Sequence, residues 1–198
     1  TGLIIPIGNW VINEACRQLR EWHLQGHQSW SMAVNLSTLQ FEQPSLVNTV
    51  LNCLALHHVP PEMLILEVTE TTAMSNPDES VRVLTELTEA GVKASIDDFG
   101  TGYSSLLYLK RLPACELKID RAFVKELSGE SEDATIVSAI VALAKTLNLK
   151  VVAEGVETEA QQAFLTELGC NTLQGYLLGK PVSAQTIEAL CARGEMLP

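Results

Sequence analysis

Polar side chains, most of them carboxylates, recur where short apolar segments of this sequence end. Asp97 and Asp98 follow Ile96, and Glu154 follows Ala153. Six segment ends supply the whole set: Asn35, Glu67, Glu70, Asp97, Asp98, Lys118, Asp120, Glu154, Glu157 and Gln174. A single carboxylate of this kind is typical of a helix cap or a solvated loop. Many of them around one lysine would repel one another unless cations lay between them, so the set predicts a metal site.

The ligand types predict which metals bind and which reaction they serve. All-oxygen ligation favours Mg²⁺ or Mn²⁺, and Ca²⁺ is a further ion that could bind. Adjacent Asp97 and Asp98 could supply a bridging carboxylate and a ligand for a second ion. Two ions about 3.5–4 Å apart can activate a water and stabilise the leaving oxygen of a phosphodiester. Lys118 would then orient or polarise the attacking water.

The elements that must position these residues are short apolar strands that alternate with amphipathic helices. Strands are predicted over 32–36, 64–68, 93–96, 116–119, 151–153 and 172–174. Their nearly continuous apolar character indicates a parallel sheet that is covered on both faces. Because the carboxyl ends of parallel strands meet at one edge, the polar residues would be gathered there.

Helix signals lie between the strands. The segment Asn76-Pro77-Asp78-Glu79 predicts an N-cap, a first-turn proline and a capping-box glutamate for a helix over 76–90. Four more helices are predicted. The first has an inner face of Val11, Ala15, Leu19 and Trp22, and the second begins at Pro44. The third covers 132–148, and the fourth runs from a cap of Thr158 with Gln161 and ends before Gly169.

Two α/β architectures fit this order of elements, a doubly wound open sheet and a TIM-type (β/α) barrel. Six strands in 198 residues are few for a barrel, which typically has eight strands in about 250 residues. Either the sheet is open, or one or two strands precede this segment. The abrupt apolar opening Leu3-Ile4-Ile5-Pro6 favours missing strands. Because no linker or repeat interrupts the pattern, we expect a single domain over 1–198.

Composition excludes several classes of partner. The net charge of −11 argues against binding a DNA or RNA polymer, which requires clustered Lys and Arg. No apolar run approaches the roughly 18 residues of a membrane span, so we expect no membrane contact by this segment. The five cysteines form no C-x-x-C pair, which is typical of thiols in a reducing compartment. We expect a cytoplasmic location, including that of a cytoplasmic domain in a larger membrane-anchored protein.

In order and spacing, these segments resemble the EAL domain family, from Leu3-Ile4-Ile5-Pro6-Ile7-Gly8 through Gly179-Lys180-Pro181. The resemblance implies a modified TIM-type barrel that contains one antiparallel strand. It also implies hydrolysis of cyclic di-GMP to linear pGpG with two Mg²⁺ or Mn²⁺ ions, with Ca²⁺ binding that does not support turnover. A homodimer is the implied assembly.

The resemblance also assigns roles to individual residues. It makes metal ligands of Asn35, Glu67, Asp97, Asp98 and Glu154, with Asp97 bridging and Asp120 near the second ion. Lys118 resembles the residue that helps to activate the nucleophilic water. Glu70 resembles the glutamate that anchors the loop over 98–105, which is implicated in dimer contacts.

Further residues resemble those that surround the substrate. Glu157 and Gln174 resemble residues that support the metals or the substrate. Residues 176–181, which include Tyr176 and Pro181, would lie beside a guanine.

One departure from the family pattern is large. The family's Glu-Ala-Leu-x-Arg motif, which supplies a metal ligand and a phosphate-binding arginine, belongs upstream of Thr1-Gly2-Leu3 and is absent. We therefore expect an EAL domain that lacks its first strands, active in its complete form and impaired as this segment. The alternative is a non-catalytic EAL module that binds cyclic di-GMP or a protein partner.

Overall fold

The alternation of strands and helices expected from the sequence is present along the chain. The computed structural model describes residues 2–102, 106–127 and 131–193. Within these residues, 2–97 with 102 and 106–115 form one compact unit, and 98–101 with 116–127 and 131–193 form another. Each unit contains parallel strands that pack against helices.

The first unit is built on parallel strands. β1 (Met32–Asn35) pairs with β2 (Leu64–Thr69), and β2 pairs with β3 (Lys93–Phe99) as far as Asp97. Its helices are α1 (Ile4–Leu24), α2 (Thr38–Phe41), α3 (Leu46–His57), α4 (Glu70–Ser75), α5 (Pro77–Glu89) and α6 (Leu106–Leu109), with a 3-10 turn at Pro61–Met63. Alternate residues of β2 form the core of this unit, where Leu64, Leu66 and Val68 are 0% exposed.

The second unit repeats the arrangement. β4 (Glu116–Ile119) pairs in parallel with β5 (Lys150–Ala153), which pairs in parallel with β6 (Thr172–Leu173). Its helices are α7 (Arg121–Lys125), α8 (Glu132–Thr146), α9 (Glu159–Leu168) and α10 (Ala184–Ala192). The antiparallel strand that the family resemblance implies is not among the strands of the described residues.

All six predicted strands are confirmed within the described residues, but β2 and β3 are longer than predicted. They run to Thr69 and Phe99, so Asp97 and Asp98 lie inside β3, and the prediction that they follow a strand ending at Ile96 was wrong. The reason is pairing between strands, since Thr69 is the ladder partner of Asp97. Hydrophobicity along a single segment does not reveal that pairing.

The helices match their predicted positions with local corrections. Asn76 is the N-cap of α5 and Pro77 its first residue, but Asn76 makes no capping side-chain bond. Glu79 binds Arg82 at 2.7 Å in place of closing a capping box. In contrast, Thr158 and Gln161 form the predicted capping box of α9.

The first helix buries Leu19 and Trp22 as predicted, but the rest of its inner face differs from the prediction. Gly8, Ile12, Cys16, Leu19 and Trp22 are buried, whereas Val11 is 37% exposed. Gly8 belongs to the inner face because a Cβ there would collide with the side chain of Gln40. The third helix begins at Leu46, two residues after the predicted start at Pro44. Among the described residues, no helix combines the length and apolar character that a membrane span requires.

Candidate metal and active site

In the first unit, strand register brings Asn35 and Glu67 side by side. They are partners in the β1–β2 ladder, and Asp97 pairs with Thr69, two residues beyond Glu67. Because side chains alternate between the faces of a strand, Asn35, Glu67 and Asp97 point to the same face. Glu67 and Asp97 are buried, whereas Asn35 is exposed. Three oxygen-bearing side chains therefore share one face, as ligands of a hard cation must.

In the second unit, Lys118 and Glu154 form a buried ion pair. Lys118 Nζ lies 2.7 Å from Glu154 Oε1, and their side chains are 5% and 19% exposed. Lys118 is the ladder partner of Val152, and Glu154 lies two residues further, so both point to the same face. A buried ammonium is costly without a carboxylate partner, and Glu154 supplies one to Lys118.

Asp98 lies close to the same glutamate. A carboxylate oxygen of Asp98 and one of Glu154 lie within 4.8 Å of each other. Two oxygens on one octahedral Mg²⁺ are about 3.0 Å apart in cis and about 4.2 Å apart in trans, given bonds of about 2.1 Å. The 4.8 Å limit includes both separations, and a shared cation would remove the mutual repulsion of the two carboxylates.

The backbone at Asp98 is unusual. Its φ of 52° lies in the left-handed region, which a residue other than glycine seldom adopts. The Thr101 hydroxyl donates to the Asp98 carbonyl oxygen at 2.8 Å. Gly100 has φ 99°, and a Cβ there would lie 2.8 Å from the ring of Phe123. Strain of this kind costs of order 1–3 kcal/mol and is concentrated at functional sites.

Asp120 acts as a helix cap. Its Oδ1 accepts a hydrogen bond of 2.7 Å from the backbone N–H of Ala122, at the start of α7. The side chain is half-buried. Asp120 lies directly after β4. Its role near a metal ion remains a prediction.

The segment 154–157 after β5 is held by Gln161. Gln161 Oε1 accepts from the backbone N–H of Glu157 at 2.8 Å and of Thr158 at 3.0 Å. Its Nε2 donates to the carbonyl oxygens of Val124 at 2.9 Å and Lys125 at 3.2 Å. One buried amide thus ties the loop that carries Glu154 and Glu157 to the end of α7.

A pocket of about 210 Å³ opens beside this loop. Its lining residues are Arg121, Glu154, Gly155, Glu157, Gln174, Gly175 and Tyr176. The structure therefore brings Glu157, Gln174 and Tyr176 together with Glu154. Pro181 lines a second cavity of about 330 Å³, which shares Gln174 and Tyr176.

The ring of Tyr176 is available to a ligand. Tyr176 is 60% exposed, and Lys180 Nζ lies 5.6 Å from the centroid of its ring. An exposed aromatic face is suited to stacking on a nucleobase. The guanine contact implied by the family resemblance remains a prediction.

Glu70 lies at the first turn of α4 and is 2% exposed. A Cβ on Gly102 would be 3.0 Å from Glu70 Oε1, so the backbone at Gly102 passes close to this carboxylate. This contact supports the predicted anchoring of the loop over 98–105, although residues 103–105 lie outside the described residues.

The sequence did not predict the roles of two residues in this region, Gln161 and Arg121. Gln161 was recognised as a helix cap, but its bonds to Val124 and Lys125 join segments 36 and 37 positions apart. Arg121 was not singled out, although it directly follows Asp120. Its position next to a predicted site residue is the signal that could have indicated it.

Comparisons with known proteins identify the family of the chain. The EAL domain family model matches residues 1–181. The chain is 64% identical over 192 residues to the bifunctional diguanylate cyclase/cyclic di-GMP phosphodiesterase MucR of Pseudomonas aeruginosa, covering 97% of the chain and 28% of MucR. It is 46% identical to the cyclic di-GMP phosphodiesterase NbdA of the same organism, covering 94% of the chain and 24% of NbdA. The chain thus spans roughly a quarter of the length of these relatives.

Solved structures confirm the predicted barrel fold. The PaMucR phosphodiesterase in complex with c-di-GMP superposes with a TM-score of 0.92 at 64% identity, over 94% of this chain and 76% of that one. The EAL domain of Mycobacterium smegmatis DcpA gives a TM-score of 0.89 at 38% identity, over 96% of this chain and 86% of that one. This agreement favours the TIM-type barrel of the EAL kind over the doubly wound sheet. The chain belongs to the EAL domain family.

Proposed function

We propose that the complete domain hydrolyses cyclic di-GMP to linear pGpG at the carboxyl ends of its strands. The observation that carries the proposal is the buried Lys118–Glu154 ion pair, whose glutamate also lies within 4.8 Å of an Asp98 carboxylate oxygen. A cation and paired carboxylates are the groups that a metal-dependent phosphodiesterase requires. MucR and NbdA, which share the family and high identity, are described as cyclic di-GMP phosphodiesterases.

The donor set fits two Mg²⁺ or Mn²⁺ ions. The proposed ligands are Asn35, Glu67, Asp97, Asp98, Asp120 and Glu154, all of which offer oxygen atoms. When bound, the ions supply positive charge that polarises the phosphodiester and the attacking water. Ca²⁺ would bind without supporting turnover. The solved calcium/cy-diGMP complex of Klebsiella pneumoniae BlrP1, which is 32% identical to this chain, supports Ca²⁺ binding.

Lys118 has two tasks in this proposal. Its ammonium fixes one oxygen of Glu154 at 2.7 Å, which orients the other oxygen for ligation. Its N–H donors would also orient the attacking water and stabilise the charge that develops on the phosphate. Because its side chain is only 5% exposed, little bulk water competes for those donors.

The pocket next to Glu154 supplies the surface for the dinucleotide. Glu157 and Gln174 would support the metals or the sugar-phosphate backbone. Tyr176, with its exposed ring, and Pro181 would contact a guanine. These assignments rest on the family resemblance together with the shared linings of the two cavities.

We further propose that the 198-residue chain by itself turns over cyclic di-GMP more slowly than the complete domain. The tripeptide Glu188-Ala189-Leu190 does occur, but it lies in α10 and has Ala192 where the family motif has arginine. The chain therefore contains no Glu-Ala-Leu-x-Arg segment. Equal rates for the two lengths would contradict this proposal.

We also propose that the protein is a homodimer in the cytoplasm. A homodimer follows from the family resemblance and is checked by light scattering of the eluted protein. The cysteines are free thiols in the structure, which supports the reducing environment of the cytoplasm.

The test incubates the complete domain with cyclic di-GMP and Mn²⁺ and follows pGpG by chromatography. Lys118→Ala and Glu154→Ala should abolish most turnover, whereas Lys125→Ala and Glu167→Ala, which change exposed residues, should not. Tight binding of cyclic di-GMP without pGpG would support the non-catalytic module instead. Turnover that both site variants retain would refute the mechanism.

A further inference from the structure

Arg121 occupies an unusual electrostatic position. It lines the 210 Å³ pocket together with the carboxylates of Glu154 and Glu157. Of the described residues that line this pocket, it alone carries a positive charge. Yet within the described part of the chain no carboxylate comes within 4.0 Å of its guanidinium to form an ion pair.

Three other arginines of the chain, Arg17, Arg82 and Arg111, are paired with carboxylates. Arg17 binds Glu14 and Glu21, and Arg82 binds Glu79 at 2.7 Å. Arg111 binds Asp78 at 2.9 Å. Their guanidinium groups are engaged by neighbouring carboxylates, whereas no carboxylate of the described residues pairs with Arg121, although two line its pocket.

The backbone explains why Arg121 lies against the loop at Gly155. Gly155 has φ 73°, and a Cβ there would lie 2.5 Å from the Cβ of Arg121 and 3.2 Å from its Cα. Only a glycine lets the loop and the first residue of α7 approach this closely. Gln161 then holds the loop to the far end of α7 through the carbonyl oxygens of Val124 and Lys125. The helix that carries Arg121 is therefore held against the loop at both of its ends.

We propose that Arg121 is a substrate-contacting residue that binds a phosphate group of the cyclic dinucleotide, an inference that rests on the proposed function. The planar guanidinium presents parallel N–H donors that match two phosphate oxygens. A pocket lined by Glu154 and Glu157 would otherwise repel an anionic ligand. Arg121 supplies the opposite charge, and no carboxylate in the described part of the chain would have to be displaced from it first.

The test measures pGpG formation by the whole protein with Mn²⁺ for wild type, Arg121→Ala, Arg121→Lys and Lys125→Ala. Arg121→Ala should raise KM about tenfold or more while kcat stays nearly constant, because the contact is made equally in the bound and the transition state. Arg121→Lys should restore part of the loss, since it keeps the charge but not the fork. Lys125→Ala removes an exposed cation from the same helix and should match wild type.

Two further measurements distinguish contact from indirect effects. The Mn²⁺ concentration for half-maximal activity and the melting temperature should be unchanged in Arg121→Ala. A KM within twofold of wild type overturns the inference, and so does a KM increase that is accompanied by weaker Mn²⁺ activation, which would indicate an effect through neighbouring Asp120. Absence of pGpG from wild type refutes the proposed function and, with it, the role of Arg121.

Discussion

The Lys118 ammonium lies 2.7 Å from a carboxylate oxygen of Glu154, and the two side chains are 5% and 19% exposed. Lys118 lies in β4, and Glu154 directly follows β5, the parallel neighbour of β4. The pair places a fixed positive charge beside a carboxylate that is also close to Asp98. Structure and proposed chemistry therefore depend on the same two residues.

Replacing Lys118 with methionine should reduce both the rate of turnover and the stability of the fold. We expect kcat to fall about 100-fold or more, because an electrostatic donor to the developing charge is lost. We also expect the free energy of unfolding to fall by about 3 kcal/mol, at the low end for a broken buried pair because Glu154 retains some exposure. Steady-state kinetics and urea titration measure these effects, with the exposed Lys125→Met as the control. Unchanged kcat would remove Lys118 from the mechanism.

Replacing Glu154 with glutamine should weaken metal binding. The amide keeps the shape of the side chain but loses the charge that a hard cation requires. The Mn²⁺ concentration for half-maximal activity should rise about tenfold or more. A titration of turnover with Mn²⁺, repeated with the exposed Glu167→Gln, measures the change. The ligand assignment fails if the two variants respond to Mn²⁺ alike.

Replacing Gln161 should loosen the loop over 154–157. Gln161→Ala removes an acceptor for two backbone N–H groups and a donor to two carbonyl oxygens, in a side chain that is only 6% exposed. Unsatisfied buried groups cost about 1–3 kcal/mol, so the free energy of unfolding should fall by about that amount. Chemical denaturation measures it.

Two variants sharpen the Gln161 experiment. Gln161→Glu keeps the acceptors but sets a carboxylate against the carbonyl oxygens of Val124 and Lys125, so it should also be destabilised. Gln162→Ala changes the neighbouring residue on α9 and should have little effect. Equal stability of the variants at 161 and 162 would show that the amide does not hold the loop.

Burial of Cys16 should make stability fall in alkaline solution. Burial, and secondarily the nearby Cys53, raises the pKa of the Cys16 thiol from 9.0 to about 12. Between these values the unfolded chain loses the proton while the folded chain retains it, so stability is full below pH 9 and decreases as pH rises. At about pH 10.5 the loss should be about 2 kcal/mol. Urea titrations of wild type and Cys16→Ala measure it, and a parallel decline in both would contradict the assignment.

The sequence by itself determined the alternation of elements and the kinds of residue at the strand ends. Apolar segments predict strands, and the cap of Thr158 with Gln161 predicts the start of α9, because both signals depend on residues within a few positions of one another. Asp97, Asp98 and Glu154 could be selected as metal-binding candidates for a similar reason. Polar residues at the ends of apolar strands are conspicuous in the chain before any packing is known.

Tertiary structure alone decided which of these groups meet and in what role. The pairing of Thr69 with Asp97 extended two strands, and packing of α1 selected Ile12 and Cys16 for the core. Lys118 pairs with Glu154, which lies 36 residues further along the chain. Because Gly155 has no side chain, Arg121 can pack against the loop there. Such contacts depend on strand register and on the distance between backbones, and neither quantity is encoded by the neighbours of a residue in the chain.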